Sequence, residues 1–149
     1  MNTTTHSLEV TRLIPARRDE VFQAWTVRDR MNWYCPGDMF LLSATADVRV
    51  GGSFRETMQG EDGKVHVCSG TYLEIVPNER LVFTQRGDGK NPVETLVTVE
   101  FIELDAGTVV ALRQEGFEEA EDLVSHEENW ETTLQNLEAE FSPGILPPS

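Results

Sequence analysis

The chain has 149 residues, enough for one domain, and its 26 acidic residues against 12 Lys and Arg give a net charge of −14. Binding to nucleic acid or to an anionic membrane surface needs clustered cations, so this balance argues against both. No apolar run approaches the roughly 20 residues of a membrane span, and the N-terminal sequence lacks the basic and apolar regions of a signal peptide.

The first part of the chain predicts one strand followed by two short helices. Ser7 to Ile14 alternates apolar with polar residues, and Arg12 is the one exception to the alternation. Pro15 then precedes a helical pattern that places Val21, Phe22 and Trp25 on one face. The segment Val27 to Trp33 predicts a second helix, and both helices are expected to close one end of a sheet.

Six further strands are predicted in the middle of the chain. Short loops rich in Gly, Asp, Asn and Pro separate them, which favours antiparallel pairing of neighbours. Asp47 and Arg49, two residues apart on the first of these strands, are expected to form an ion pair on the outer face. The six segments are Ala44 to Val50, Ser53 to Gln59, Lys64 to Val76, Arg80 to Arg86, Val93 to Leu104 and Thr108 to Gly116.

A long final helix is predicted from Phe117 to Phe141, with Ser125 as an alternative start. Its apolar residues form one stripe of helical period, whereas acidic residues without any Lys or Arg dominate the rest of it. This acidic face is either a solvated surface or a docking surface for a basic partner. The prolines of the tail, residues 142–149, end the helix. The stripe consists of Leu123, Trp130, Leu134, Leu137 and Phe141, with His126 on the same side.

The sequence motifs favour neither a cofactor nor a metal site. Gly60 to Lys64 lacks the first glycine and the final Ser or Thr of a phosphate-binding loop, and it is interpreted as a hairpin turn. His6, His66 and His126 lie sixty residues apart, which matches no metal-ligand spacing. Cys35 and Cys68 are too few for a disulfide framework, so we expect reduced thiols in a cytoplasmic protein.

Polar residues on otherwise apolar faces are the more informative signal. The period of two places Glu56 with Phe54 on one strand face and Gln114 among valines and leucines on another. Together with His126, these side chains are expected to point towards the interior. An isolated buried polar group costs about 1–3 kcal/mol. Two explanations remain open: the groups pair with each other, or they line a wet pocket that receives a ligand.

Several short motifs spread from Leu8 to Phe141 carry a family resemblance: Asp47 to Phe54, Asp62-Gly63, Gly70 to Pro77, Glu79 to Thr84, and His126 to Trp130 with Leu134 and Leu137. The chain resembles the bacterial homologues of the activator of the heat-shock-protein-90 ATPase, which belong to the START-like (SRPBCC), helix-grip superfamily. It departs from many relatives at Trp33-Tyr34-Cys35, where they have paired tryptophans, and at Asn129, where they have a glycine.

The resemblance implies an α+β helix-grip fold in which a seven-stranded antiparallel sheet wraps around the long C-terminal helix, with an apolar cavity between them. We therefore expect a single domain over residues 1–149, with an ordered core at about 7–141, that acts as a monomer or homodimer. Its first expected function is to bind a small apolar or aromatic molecule. The expected ligand-binding residues are Trp33, Phe40, Glu56, Met58, Val97, Val99, Gln114, His126 and Trp130.

Two other functions remain as alternatives. The acidic face of the last helix and the family name favour a protein-interaction, co-chaperone-like module. A cyclase or hydrolase-type enzyme would use His126 or Glu56 as a general base. No catalytic motif supports that third function, so we expect a binding protein without a cofactor.

Overall fold

The computed structural model describes residues 6–26, 33, 39–87, 93–117 and 119–141, except for the side chains of residues 120 and 122. Within these ranges the chain forms seven strands and two helices. In chain order they are β1 (His6–Ile14), α1 (Arg18–Thr26), β2 (Phe40–Ala46), β3 (Ser53–Gln59), β4 (Val65–Val76), β5 (Arg80–Gln85), β6 (Thr95–Leu104), β7 (Gly107–Phe117) and α2 (Ala120–Glu140).

The strands form one antiparallel sheet in the order β1-β7-β6-β5-β4-β3-β2. Consecutive strands pair from β2 to β7, and β1 then adds to the free side of β7, with Leu8 opposite Gln114. The predicted seven-stranded helix-grip fold is therefore confirmed. The second predicted helix, apart from Trp33, lies outside the described residues, as do Cys35 and the tail.

One strand, β4, joins the two halves of the sheet. Its first half pairs with β3 and its second half with β5, and the register shifts between Tyr72 and Glu74. Gly70 lies just before this shift. A Cβ atom at Gly70 would lie 1.8 Å from the backbone oxygen of Thr84 and 2.7 Å from the Phe54 ring. Only a glycine permits this close approach.

The predicted position of β2 is wrong. The strand spans Phe40–Ala46 rather than Ala44 to Val50, because the chain turns at Asp47. The Asp47 amide donates to the Ser53 oxygen at 2.9 Å, and the Gly52 amide donates to the Arg49 oxygen at 2.8 Å. The predicted ion pair exists, with Arg49 Nε 2.5 Å from an Asp47 carboxylate oxygen, but it lies in this exposed loop and not on a strand.

Helix α2 packs mainly against β1 and less against β7, at one edge of the sheet. The predicted stripe is confirmed, since Trp130, Leu134 and Leu137 are buried. The helix begins three residues later than predicted, because Phe117 still pairs with β1 and Gly116 has a positive φ of 104°. Within the described residues, no helix is long and apolar enough to cross a bilayer.

Arg12, the exception in the alternation of β1, has a clear partner. Its Nε atom lies 2.6 Å from Oε1 of Glu138 near the end of α2. Arg12 shares the inner face of β1 with the buried residues Leu8, Val10 and Ile14. The ion pair therefore ties the C-terminal part of α2 to the first strand.

Candidate functional site

The inner face of the sheet carries the predicted alternation of buried residues. Val97 and Val99 of β6 are completely buried, and Phe101 continues the same face. In β7, Val110 and Leu112 follow the same pattern up to Gln114, which is 1% exposed. The interior placement predicted for these strands is therefore confirmed.

Gln114 is the centre of a buried hydrogen-bond network. Its Oε1 atom accepts from the indole Nε1 of Trp130 at 2.7 Å. Its Nε2 atom donates to Thr95 Oγ1 at 2.7 Å and to Gln85 Oε1 at 2.9 Å. Three of the four hydrogen bonds that an amide side chain can make are thus formed within the protein. These hydrogen bonds offset the cost of burying the Gln114 amide.

The network continues across the sheet. Thr95 Oγ1 donates to the Gln85 backbone oxygen at 3.1 Å, and Gln85 Nε2 lies 3.1 Å from the sulfur of Cys68, a weak acceptor. Cys68 in turn faces Glu56 in the register of β4 and β3. We call this set the polar band. It takes one residue from each of six neighbouring elements: Trp130, Gln114, Thr95, Gln85, Cys68 and Glu56.

Aromatic residues border the polar band on two sides. Near α2, the Trp25 ring stacks on Trp130 with centroids 6.0 Å apart and meets the edge of Trp33 at 5.0 Å. On the far half of the sheet, Phe54 lies 5.4 Å from both Tyr72 and Phe83. We call this second group the aromatic triad.

The aromatic triad and the polar band share strands, and their residues on β3 and on β5 are two positions apart. Phe54 and Glu56 are two residues apart on β3, and Phe83 and Gln85 are two residues apart on β5. Residues at this spacing point to one face of a sheet. Polar and aromatic groups therefore lie next to each other on the inner face, which suits a ligand with an apolar body and a polar end.

Glu56 is the charged residue of the polar band and is only 1% exposed. Its cross-strand neighbours are Ala44 on β2 and Cys68 on β4. Both neighbours have small side chains. Helix α2 packs on the opposite edge of the sheet, against β1 and β7.

The structure places the predicted ligand-binding residues in three different environments. Phe40 is 52% exposed, and it is the next residue, Leu41, that packs against the core. We therefore leave Phe40 out of the proposed binding surface. Met58 and His126 are partly exposed, and the His126 ring packs against Phe117 with centroids 4.9 Å apart. The buried ones are Trp33, Glu56, Val97, Val99, Gln114 and Trp130.

Sequence reasoning missed Thr95, Gln85, Cys68 and the aromatic triad as parts of one surface. A signal was present for Gln85, because it continues the alternation of the buried residues Leu81 and Phe83 on β5. The period of two does not give the register between strands, so the contact of Gln85 with Cys68 could not be predicted. Across the described ranges, no group of three or more His, Cys, Asp or Glu side chains is placed to hold a metal ion.

A groove of about 530 Å³ lies outside this surface, between the β1–α1 loop and the β6–β7 turn. Its charged lining includes Arg17, Glu20 and Asp105. Arg17 is engaged by Glu20, with the Arg17 Nε atom 3.3 Å from the carboxylate. The groove is at the end of β6 opposite Thr95, so it is separate from the polar band.

The sheet, its C-terminal helix and the lined inner face together define a helix-grip domain of the START-like superfamily. Residues 15–142 match the family described as activator of Hsp90 ATPase homolog 1-like protein, and the chain belongs to this family.

Solved structures of similar proteins support the same fold. A Chromobacterium violaceum protein is 26% identical, with a TM-score of 0.83 over 92% of this chain and 97% of that one. A Rhizobium leguminosarum protein is 27% identical, with a TM-score of 0.79 over 91% and 93% of the two chains. A Rhizobium loti protein is also 27% identical, with a TM-score of 0.78 over 92% and 97%. The comparison with curated proteins returned no match.

Proposed function

We propose that this protein binds a small, mainly apolar or aromatic molecule against the inner face of β2, β3 and β4. The observation that carries the proposal is the placement of Glu56, a buried carboxyl group between two small neighbours and two residues from Phe54 of the aromatic triad. A polar group beside an aromatic surface suits the recognition of a small ligand that has an apolar body and a polar end.

The size of the apolar contribution shows why polar contacts are needed as well. A ligand of the size of an aromatic side chain buries roughly 150–250 Å². At about 25 cal/mol per Å², this burial contributes about 4–6 kcal/mol before the cost of association is subtracted. Even without that cost, this contribution corresponds to a Kd no tighter than some tens of micromolar. Hydrogen bonds to the polar band would supply the remaining affinity and the orientation of the ligand.

Native mass spectrometry of the freshly purified protein tests the proposal directly, and it also tests the prediction of a monomer or homodimer. Isothermal titration calorimetry with 2-naphthol provides the second measurement. Cys68→Leu, which adds volume beside Glu56, should weaken 2-naphthol binding at least about tenfold, equivalent to about 1.4 kcal/mol. Val67→Leu is the matched control, because Val67 is the preceding residue of β4 and points to the other face.

Two results would contradict this function. The first is the absence of both a co-purified molecule and saturable 2-naphthol binding in the folded protein. The second is equal binding of 2-naphthol by the two variants. Far-UV circular dichroism and urea unfolding show whether each variant is folded before it is titrated.

A protein-interaction function is the second candidate, and the exposed acidic face of α2 favours it. Glu121, Glu128 and Glu131 are exposed. At about 3.6 residues per turn, Glu121 and Glu128 lie opposite the buried Trp130, and Glu131 lies at the side of the helix. The triple change of these three glutamates to lysine should abolish capture of a basic protein partner and leave 2-naphthol binding unchanged. Loss of both partner capture and 2-naphthol binding, or of neither, would count against a separate docking surface.

A cytoplasmic location also stays a prediction.

A further inference from the structure

We infer that the edge strand β2 pairs antiparallel with β2 of a second copy of this chain, so that two sheets join into one. This inference does not depend on the proposed ligand, and it gives a homodimer a defined interface. It starts from the position of β2 at the end of the sheet, where β3 is its neighbour on one side. In the described part of the chain, no backbone hydrogen bond joins its other side to a further segment.

The first argument is the composition of β2. Among the seven described strands, Phe40–Ala46 is the one without an ionisable side chain, and it also contains no proline. Charged residues and prolines are the usual devices by which an edge strand avoids pairing with another chain. The other edge strand, β1, carries Glu9 and Arg12. Of the two edges, β2 is therefore the one whose side chains permit pairing.

The second argument is the apolar surface along this edge. Phe40 is 52% exposed and Leu42 is 48% exposed, although both side chains are large and apolar. Covering such surface favours association. A second copy on β2 would therefore explain why Phe40 lies outside the core and outside the proposed ligand surface.

The bulge between Leu41 and Ser43 limits the register of this pairing. A bulge bends its strand and interrupts the ladder, so the residues after it are the ones available to a second copy. A twofold axis at Ala44 places Ala44 opposite its own copy and Ser43 opposite Thr45 of the second copy. All three side chains are small and uncharged. Because so short a strand buries little surface, we expect a weak dimer that depends on concentration.

The third argument is the placement of negative charge. Two copies with a net charge of −14 repel each other unless their acidic surfaces stay apart. Helix α2 contains many acidic residues and neither Lys nor Arg, and it packs mainly against β1, at the edge opposite β2. Pairing through β2 separates the two copies of β1 by roughly 60 Å along the joined sheet, at about 4.8 Å per strand. Since the Debye length is about 8 Å at physiological ionic strength, repulsion between the two helices is largely screened.

Sedimentation equilibrium of the full chain tests the inference. Over about 1–500 µM, it should show an equilibrium between monomer and dimer. The double change Ser43→Lys and Thr45→Lys should weaken dimerisation at least about tenfold, because like charges then face each other across the interface. These lysines also make the protein less negative, so weaker dimerisation could not come from long-range repulsion.

Ser7→Lys with Thr11→Lys is the matched control. It makes the same two changes of residue type at exposed positions of the other edge strand, β1. It should not weaken dimerisation. Far-UV circular dichroism shows whether both lysine variants are folded.

A cysteine at Ala44 tests the register. Residues directly opposite each other in an antiparallel pair have Cα atoms about 4.5–5.5 Å apart, a distance that a disulfide spans. Mild oxidation should therefore link two copies of Ala44→Cys, whereas Thr11→Cys on β1 should stay unlinked. The unchanged protein, oxidised in the same way, shows any link through Cys35 or Cys68.

Three results would overturn the inference. The first is a monomer at every concentration, including one whose β2 pairs with a strand of a different protein. The second is a dimer that the β2 lysines leave intact or that the β1 lysines weaken equally. The third is the absence of a disulfide in Ala44→Cys, which also decides the matter if the β2 lysine variant does not fold. No ligand enters these measurements, so they remain valid if the proposed function fails.

Discussion

The hydrogen bond between Trp130 and Gln114 joins α2 to the sheet, and its removal is expected to destabilise the domain. The change Gln114→Leu keeps the size of the side chain and removes its amide. The indole N–H of Trp130 then loses the acceptor that lies 2.7 Å away. Thr95 keeps its bond to the Gln85 backbone oxygen, so the indole accounts for most of the loss.

The size of the destabilisation by Gln114→Leu follows from the cost of each lost hydrogen-bond partner. A buried donor without its acceptor costs about 1–3 kcal/mol, and the weakened contacts of Thr95 and Gln85 add about 1 kcal/mol. The extra apolar surface of leucine returns about 0.8 kcal/mol. We therefore expect the free energy of unfolding to fall by about 1–3 kcal/mol, which lowers Tm by about 2–12 °C.

A double-mutant cycle with Trp130→Phe isolates the bond itself. Urea unfolding followed by far-UV circular dichroism measures the four proteins, and Gln135→Leu, the same change at an exposed position of α2, is the control. The cost of Gln114→Leu should be about 1–2 kcal/mol smaller when residue 130 is phenylalanine. A coupling energy below about 0.5 kcal/mol would refute the assignment of this bond as the link between helix and sheet.

Three further changes test other parts of the fold by urea unfolding. Gly70→Ala should lower the free energy of unfolding by more than about 3 kcal/mol, because its Cβ would overlap a backbone oxygen. Gly87 has open space around it, so Gly87→Ala should be neutral or stabilising. Equal effects of the two changes would contradict the close approach at Gly70. Arg12→Met should lower the free energy of unfolding by less than about 1 kcal/mol, since both partners of its ion pair with Glu138 are about one-third exposed. If the same loss is measured in 1 M NaCl, its cause is not ionic. Phe40→Ser should change stability by less than about 1 kcal/mol because the ring is half exposed, and a larger loss would show that Phe40 belongs to the core.

Hydrophobic periodicity was sufficient for most of the fold. The buried face of α2 and the bounds of β3 follow from local spacing alone, because those segments obey one period from end to end. The prediction of β2 failed because Val48 and Val50 continue the alternation of a strand. Backbone hydrogen bonds between Asp47, Arg49 and the residues after them form a turn that this alternation does not reveal.

The candidate site was less accessible to sequence reasoning than the fold. The inward direction of Glu56 and Gln114 follows from the period of two, and both are buried. Their partners depend on the register between strands that are distant in the chain, such as β5 and β7. The sequence therefore could not identify Trp130, Thr95 and Gln85 as the hydrogen-bond partners of Gln114.

The pairing of β1 with β7 affects how the nascent chain folds during translation. His6 lies opposite Phe117, so the ribosome must add more than a hundred residues before the first strand meets its partner. At a translation rate of roughly 5–20 residues per second, the apolar side of β1 stays unpaired with β7 for about 5–20 s. Cotranslational folding can begin in the hairpins between β3 and β7, but closure of the domain comes last. A general chaperone that shields the first strand during this interval should raise the yield of folded protein.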